Sequence, residues 1–362
     1  MPRAPHPAPK KSPSEPSTLE VGDWLWLCRA GYETDLVDEL GRAPGVGSAT
    51  RLAPGLVRSP KRPKLHGQDV ELAFARQGLP VQALVASGDT ALLVDRLVPL
   101  VARALGSGTF VLHLFVADSD EGNLLAQGAA ELEARLMQRL MALDPTVMER
   151  RRGVREASLG RDPLIQICLL GAEAAALGVT PVAQSLSSAP GGRLRLGAPK
   201  GAPSRAAAKL LEAFEWLGRA PEPGDQCVDL GAAPGGWSFV LHERRARVIA
   251  VDPARLAPHV AHHRRLHHAR ANAFTYLPDE PADWLLCDMA WRPLEVATLL
   301  AKWGRRGAAR FLVANIKLPM KQKVEMVRRV REIVESGGWR EVRVRQLYHD
   351  RDEVTLGAWR LR

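Results

Sequence analysis

Four charged residues in the C-terminal half could share one piece of acid–base chemistry: Lys209, Asp288, Lys317 and Glu353. Asp288 and Lys317 each end an apolar run that reads as a strand, Glu353 opens another, and Lys209 lies in a helical pattern. Strand and helix ends of this kind meet along one edge of an α/β sheet, which is where such folds place their active sites. An alcohol hydroxyl is a weak acid, and substituting it requires its proton to leave as the new bond to oxygen forms. A base with a near-neutral pKa is best matched to that task. Lysine serves only where burial or a neighbouring cation favours its neutral form. Two lysines and two carboxylates in one pocket allow such tuning, with one lysine as the base and the other groups orienting it.

What would position these groups is the stretch Val228-Asp229-Leu230-Gly231-Ala232-Ala233-Pro234-Gly235-Gly236-Trp237. Val228 to Leu230 read as a short buried strand, the glycines as a tight turn, and Phe239, Val240 and Leu241 as the start of a helix. Strand, glycine-rich turn and helix form the cofactor loop of a doubly wound α/β domain. The glycines admit a ligand close to the backbone, and the helix start offers free N–H groups. A dinucleotide loop would read G-x-G-x-x-G, whereas this one reads D-x-G-x-x-P-G-G. Asp229 stands where a carboxylate meets an amine or hydroxyl rather than a pyrophosphate. That suits S-adenosylmethionine, which has a cationic amino-acid end and no phosphate. About twenty residues on, the strand Arg247 to Val251 ends in Asp252, at the offset of a residue that takes ribose hydroxyls.

The rest of this half alternates in the same way. A helix is expected over Ser204 to Leu217, with Ser204 as N-cap and Ala207, Leu210, Leu211 and Phe214 facing inward. Strands are expected at Trp284–Cys287, Phe311–Ile316, Glu341–Leu347 and Val354–Leu361, and helices at Leu294–Trp303 and Gln322–Glu335. In the second helix Val324, Val327, Val330 and Val334 make the apolar stripe.

Residues 1–19 are rich in proline and too polar to order themselves. Order begins at the strand Trp24–Cys28, followed by a helix over Glu33–Leu40. The tract Thr50–Gln68, with its prolines, glycines and basic residues, reads as loop. Leu92–Leu105 is an amphipathic helix and Phe110–Val116 a strand, with Asp118, Ser119 and Asp120 as turn and cap. Leu124–Leu143 is a long helix with Leu132, Leu136, Leu140 and Leu143 on one face, and Ile165–Leu170 is a strand. The composition break at Ser185–Pro203 marks a domain boundary. The expected organisation is a tail over 1–19, a smaller α+β region over 20–190 and a Rossmann-like α/β domain over 191–362.

A chain of 362 residues with 46% hydrophobic and 25% charged residues has ample core for two domains. Its net charge of +10 favours a polyanionic partner, of which nucleic acid is the commonest. Arg150-Arg151-Arg152-Gly153-Val154-Arg155 reads either as a solvated face or as a strip for phosphates. Cys28, Cys168, Cys227 and Cys287 lie far apart, which argues against a zinc site and for a reducing compartment. The richest apolar run, Ala91–Leu105, is broken by Asp95, Arg96 and Arg103, so no membrane span is expected. The N-terminus lacks the apolar core of a signal peptide. A cytoplasmic protein is expected, without a metal and, by default, a monomer.

The ordered motifs carry a resemblance. Ser204-Arg205-x-x-x-Lys209-Leu210, Asp229-Leu230-Gly231-Ala232-x-Pro234-Gly235-Gly236-Trp237, Cys287-Asp288-Met289 and Asn315-x-Lys317-Leu318-Pro319-Met320-Lys321 occur in the order seen in FtsJ-type 2′-O-ribose RNA methyltransferases. Arg345-Gln346-Leu347-Tyr348-His349-Asp350-Arg351-Asp352-Glu353-Val354-Thr355 and the early Leu27-Cys28-Arg29-Ala30-Gly31-Tyr32-Glu33 resemble one branch of that superfamily. That branch, the RlmM-type enzymes, methylates a cytidine ribose in bacterial large-subunit ribosomal RNA. The resemblance implies a Lys209-Asp288-Lys317-Glu353 tetrad with Lys317 as proton acceptor. It implies S-adenosylmethionine held by Ser204, by the loop from Gly231 through Ala233, Pro234, Gly235 and Gly236 to Trp237, and by Asp252 and Asp288. It also implies a THUMP domain in the N-terminal half and ribosomal RNA as the partner.

The chain departs from the family at Ala271-Asn272-Ala273-Phe274, where an aspartate normally stands beside the adenine. Asn272 keeps an amide oxygen for that contact but loses the charge. Two other classes stay open. A base-amine methyltransferase would carry an Asn/Asp-Pro-Pro-Tyr-type motif where this chain has Cys287-Asp288-Met289-Ala290. A catalytically silent RNA-binding assembly factor would be free to lose the four charged residues, all of which are present.

Overall fold

The computed structural model describes residues 18–63, 72–157 and 162–360. The proline-rich tail expected over 1–19 lies outside them except for its last two positions. The chain opens with β1 (Trp24–Leu27), α1 (Glu33–Arg42), β2 (Thr50–Ala53), β3 (Leu56–Ser59) and β4 (Gln77–Pro80), and the strands form an antiparallel sheet in the order β2-β3-β1-β4. The tract expected as loop from Thr50 is thus a hairpin. Its proline, Pro54, falls in the turn rather than in a strand, where it removes no ladder hydrogen bond. Gly55, at φ +77°, closes the turn. Its N–H donates to the buried carboxylate of Glu33 at 2.6 Å, which ties the hairpin to α1.

The second sheet follows. It contains β5 (Ala83–Ala86), β6 (Val111–Val116), β7 (Pro163–Gly171) and β8 (Ala174–Pro181) in the order β5-β8-β7-β6. Between its strands run α2 (Thr90–Leu105), α3 (Asp120–Leu124), α4 (Ala126–Leu143) and α5 (Val147–Arg150). Asp89 caps α2 by accepting the Leu92 N–H, and Ser119 caps α3 by accepting that of Gly122. The long helix expected from Leu124 is broken at Leu125, and Leu143 is 66% exposed while Leu132, Leu136 and Leu140 are buried. β8 has no β-branched run to announce it. Its Ala- and Gly-rich sequence is selected by packing, because a Cβ at Gly178 would strike the carbonyl of Pro80.

The third sheet contains β9 (Gln226–Leu230), β10 (Arg247–Val251), β11 (Leu266–Ala269), β12 (Ala282–Cys287), β13 (Ala309–Lys317), β14 (Arg340–Arg345) and β15 (Glu353–Trp359). Its order is β11-β10-β9-β12-β13-β15-β14, with the first five parallel and β15 antiparallel to both of its neighbours. α6 (Ala206–Leu217) and α7 (Gly236–Glu243) cover one face; α9 (Pro293–Arg305) and α10 (Lys323–Ser336) cover the other; a short α8 (Pro258–Ala261) follows β10. Alternation along each strand supplies both cores: Cys227, Trp284 and Val313 face α6 and α7, while Val228, Leu285 and Leu312 face α9 and α10. The order of strands reverses between β9 and β12, so the carboxyl ends of those two strands open a crevice. This is the α/β, Rossmann-like architecture expected of the C-terminal half.

The core on the α9 and α10 face also takes in Tyr32, Leu36, Leu40 and Phe74 from the first sheet and its helix. Arg76, just before β4, is 2% exposed and pairs with Asp118, and it donates to the carbonyls of Leu347 at 2.9 Å and Gln346 at 3.4 Å. Gln346 in turn donates its N–H to Ala73 at 2.7 Å. The first sheet therefore grips the segment between β14 and β15.

Candidate functional site

The site lies at the carboxyl ends of β9, β12 and β13 and the start of β15. Antiparallel pairing of β13 and β15 sets Lys317 directly opposite Glu353, and their side chains form an ion pair. Lys209, from the first turns of α6, reaches the other oxygen of the same carboxylate. Glu353 thus sits between two ammonium groups, with 2% of its side chain exposed against 17% for Lys209 and 40% for Lys317. Burial alone would push the Glu353 carboxyl up, but its two lysines outweigh that and hold it below the usual range. For Lys209, burial works against the charge, but Asp288 and Glu353 outweigh it and raise its pKa. Lys209 is therefore held as a cation, and Lys317 is the lysine that reaches the surface.

Asp288 follows β12 and is half-buried. Burial pushes its carboxyl up, with the charge of Lys209 pulling the other way. Its Oδ1 accepts from Asn315 Nδ2 at 3.3 Å. The four residues expected to act together are therefore brought together, Asp288 through the charges it shares with Lys209, Lys317 and Glu353.

The glycine-rich turn is packed closely against the protein's own side chains. Gly231 and Gly235 stand at φ +76° and +111°, and a Cβ on them would meet Met289 at 2.6 Å and Val260 at 2.9 Å. A Cβ on Gly236 would collide with Ser204 Oγ. That hydroxyl is buried without a hydrogen-bond partner. Ser204 was expected to cap α6, but the helix starts at Ala206 with Arg205 at the N-cap and no side-chain cap. The serine is turned against the glycine turn instead. Asp252, after β10, accepts the N–H of Ala233 at 3.0 Å on one oxygen and that of Ala254 at 2.8 Å on the other. Each oxygen keeps a second lone pair for a ligand hydroxyl. An orphaned hydroxyl and a strand-end carboxylate with free lone pairs fit an adenosyl group bearing an amino-acid tail.

Three expected contacts look different in place. Trp237 is buried, and its indole N–H donates to Ala206 O at 3.0 Å, so its ring packs α7 onto α6. Asn272 is exposed and its Oδ1 accepts the Phe274 N–H at 2.9 Å, which fixes the amide in its own turn. Asp229, buried to 1% exposure, accepts from Ser238 Oγ at 2.7 Å, and burial pushes its carboxyl up to about 7. The basic strip after α5 is engaged within the protein: Arg150 pairs with Asp144, Arg151 with Glu133 and Arg155 with Glu215.

Some contributors carry no signature in sequence. Glu212, 3% exposed, accepts the N–H groups of Tyr348 at 2.8 Å and His349 at 2.9 Å. Tyr32 Oη lies within hydrogen-bond distance of Arg351 O (3.0 Å) and Asp352 Oδ1 (3.1 Å), and Arg29 reaches Asp350 O. A glutamate among the apolar residues of α6 was the one available hint; the contacts from Tyr32 and Arg29 join residues more than three hundred positions apart. Among the described residues there is no group of three or more His, Cys, Asp or Glu that could hold a metal ion, and no helix is long and apolar enough to cross a membrane.

Residues 202–320 match the family described as FtsJ-like methyltransferase. The chain is similar to ribosomal RNA large subunit methyltransferase M of Alkalilimnicola ehrlichii, at 34% identity over 95% of this chain and 96% of the relative. The protein of the same name from Xanthomonas oryzae pv. oryzae is 37% identical over 93% of this chain and 99% of its own length. That of Methylococcus capsulatus is 35% identical over 91% and 96%.

Proposed function

The chain belongs to the ribosomal RNA large subunit methyltransferase M family, and on that premise we propose that it transfers a methyl group from S-adenosylmethionine to the 2′-hydroxyl of a cytidine in large-subunit ribosomal RNA. Bound in the turn, S-adenosylmethionine supplies a sulfonium methyl that is already reactive, so the protein need only orient the reactants and remove a proton. Ser204, the Gly231–Gly236 loop and Asp252 hold the cofactor. Lys317 takes the 2′ proton. Lys209 stays charged and, with Asp288 and Glu353, holds Lys317 and the ribose in line. The observation that carries this reading is the single buried carboxylate of Glu353 shared by Lys209 and Lys317 beside the cofactor turn. It fixes the Lys317 amine at the crevice.

The region 20–190, with its THUMP domain, holds the RNA in the cytoplasm, and region 191–362 holds the cofactor; the enzyme works as a monomer without a metal. The net charge of +10 supports an RNA partner. The test uses ribosomal RNA from cells lacking the gene, incubated with the purified protein and labelled cofactor. Mapping of ribose methylation should find one cytidine 2′-O-methyl group. Label on a base, or a product without 2′-O-methylation, would overturn the reading.

A further inference from the structure

Behind Asp288 a line of polar side chains runs into the core. Asn315 Nδ2 donates to Asp288 Oδ1 at 3.3 Å, and Asn315 Oδ1 lies 3.0 Å from Thr355 Oγ1. Thr355 Oγ1 lies 2.9 Å from Asp350 Oδ2, which also accepts the Leu347 N–H at 2.9 Å. Asn315 is 1% exposed, Thr355 and Asp350 are fully buried, and Asp350 Oδ1 has no hydrogen-bond partner.

The hydrogens can be counted. Thr355 has one hydroxyl hydrogen, yet it faces two oxygens. If its hydrogen goes to Asn315 Oδ1, the contact with Asp350 needs a hydrogen from Asp350. Turning the Asn315 amide over would free that hydrogen, but it would set an amide oxygen against the Asp288 carboxylate. With Asp288 ionised beside Lys209, the arrangement that satisfies every contact has one direction: Asp350 donates to Thr355, Thr355 to Asn315, and Asn315 to Asp288. We propose that Asp350 carries a proton and, through Thr355 and Asn315, acts as a positioning residue that holds Asp288 as an acceptor facing the reaction site. The proposal rests on the methyltransferase reading given above.

The surroundings agree. An ionised carboxylate with an orphaned oxygen in the core would be costly, whereas a neutral acid is far less so. Burial, with Glu353 on β15 and Glu212 on α6 adding like charge, pushes the Asp350 carboxyl up to about 8, against the pull of Lys209. Arg29 and Arg76 reach backbone carbonyls of this turn, and Asp352 is engaged by Tyr32.

The test has two arms. Carboxyl-carbon NMR of aspartate-labelled full-length protein, with the Asp350 signal assigned by its loss in Asp350→Asn, should show a protonated acid at about pH 6 that titrates near 8. An ionised signal at that pH overturns the proposal whatever the reaction proves to be. In single-turnover methylation, Asp350→Asn should exceed Asp350→Ala by at least about tenfold, because an amide can donate to Thr355 and a methyl cannot. The ratio of Asp350→Asn to wild-type rate should climb as pH passes about 8, where wild-type Asp350 ionises. Thr355→Val should lower the rate about 10–100-fold with cofactor affinity within about twofold, and Thr355→Ser should restore it. A wild-type rate for Thr355→Val, or equal defects in Asp350→Asn and Asp350→Ala, would overturn it. A wild-type enzyme that makes no 2′-O-methyl product overturns the proposed function instead, and the titration still decides where the proton lies.

Discussion

Lys317 and Glu353 face each other across the antiparallel pair β13 and β15, and the same carboxylate reaches Lys209 on α6. A strand and a helix that meet only in the folded domain thus share one counter-ion. Glu353→Gln would leave two ammonium groups around a neutral amide. Methyl transfer should fall by about 10–10³-fold, the range for a lost oriented electrostatic partner, while cofactor affinity changes little. Glu353→Asp keeps the charge and should lie between the two. A wild-type rate for Glu353→Gln would mean that Glu353 is only structural.

Asp252 holds the turn through Ala233, and in the proposed function it takes the cofactor ribose. Asp252→Ala should weaken S-adenosylmethionine binding by roughly 1.5–3 kcal/mol for each charge-assisted bond lost. Calorimetric titration reads this directly. Affinity within about twofold of wild type would place the cofactor elsewhere.

Arg76 ties the first sheet to the segment leading into Glu353. Arg76→Met should cost roughly 3–5 kcal/mol in chemical denaturation, because Asp118 and the carbonyls of Gln346 and Leu347 lose a buried partner. Tyr32→Phe, which removes only a hydroxyl near Arg351 O, should cost about 1 kcal/mol. Equal, negligible effects would mean that the two regions are held together by apolar packing alone.

Asp229 supplies a pH signature. Its folded pKa, about 7, lies above the ordinary 3.8. The folded state therefore binds more protons than the unfolded chain between those values, and its contribution to stability, complete below about 4, is lost as pH rises through about 7. Asp229→Asn keeps an acceptor for Ser238 and removes the titration. Its melting temperature relative to wild type should rise from about pH 4 to about pH 8, with a gain of at most ~4 kcal/mol. A constant difference across that range would show that Asp229 stays ionised in the folded protein.

Much of the site was legible because strand ends announce themselves. Apolar runs closed by Asp288 and Lys317, together with the spelling of the glycine turn, marked the sheet edge. The Thr50–Ser59 hairpin was hidden because Pro54 and Gly55 in its turn look like loop composition. β8 was hidden because its alanines and Gly178 are chosen by contact with β4 rather than by propensity. Ser204 has a capping residue's chemistry, but its hydroxyl is turned against Gly236 and caps nothing. Asp350 and Thr355 stand in one sequence motif and Asn315 in another, and only the folded distances join them.

The account turns on Lys317. Lys317→Ala should reduce the single-turnover rate of ribose methylation by about 10²–10⁴-fold between about pH 6 and 10, with binding of S-adenosylmethionine and of RNA nearly unchanged. A near-wild-type rate, or a loss confined to cofactor affinity, would contradict the assignment of Lys317 as the base.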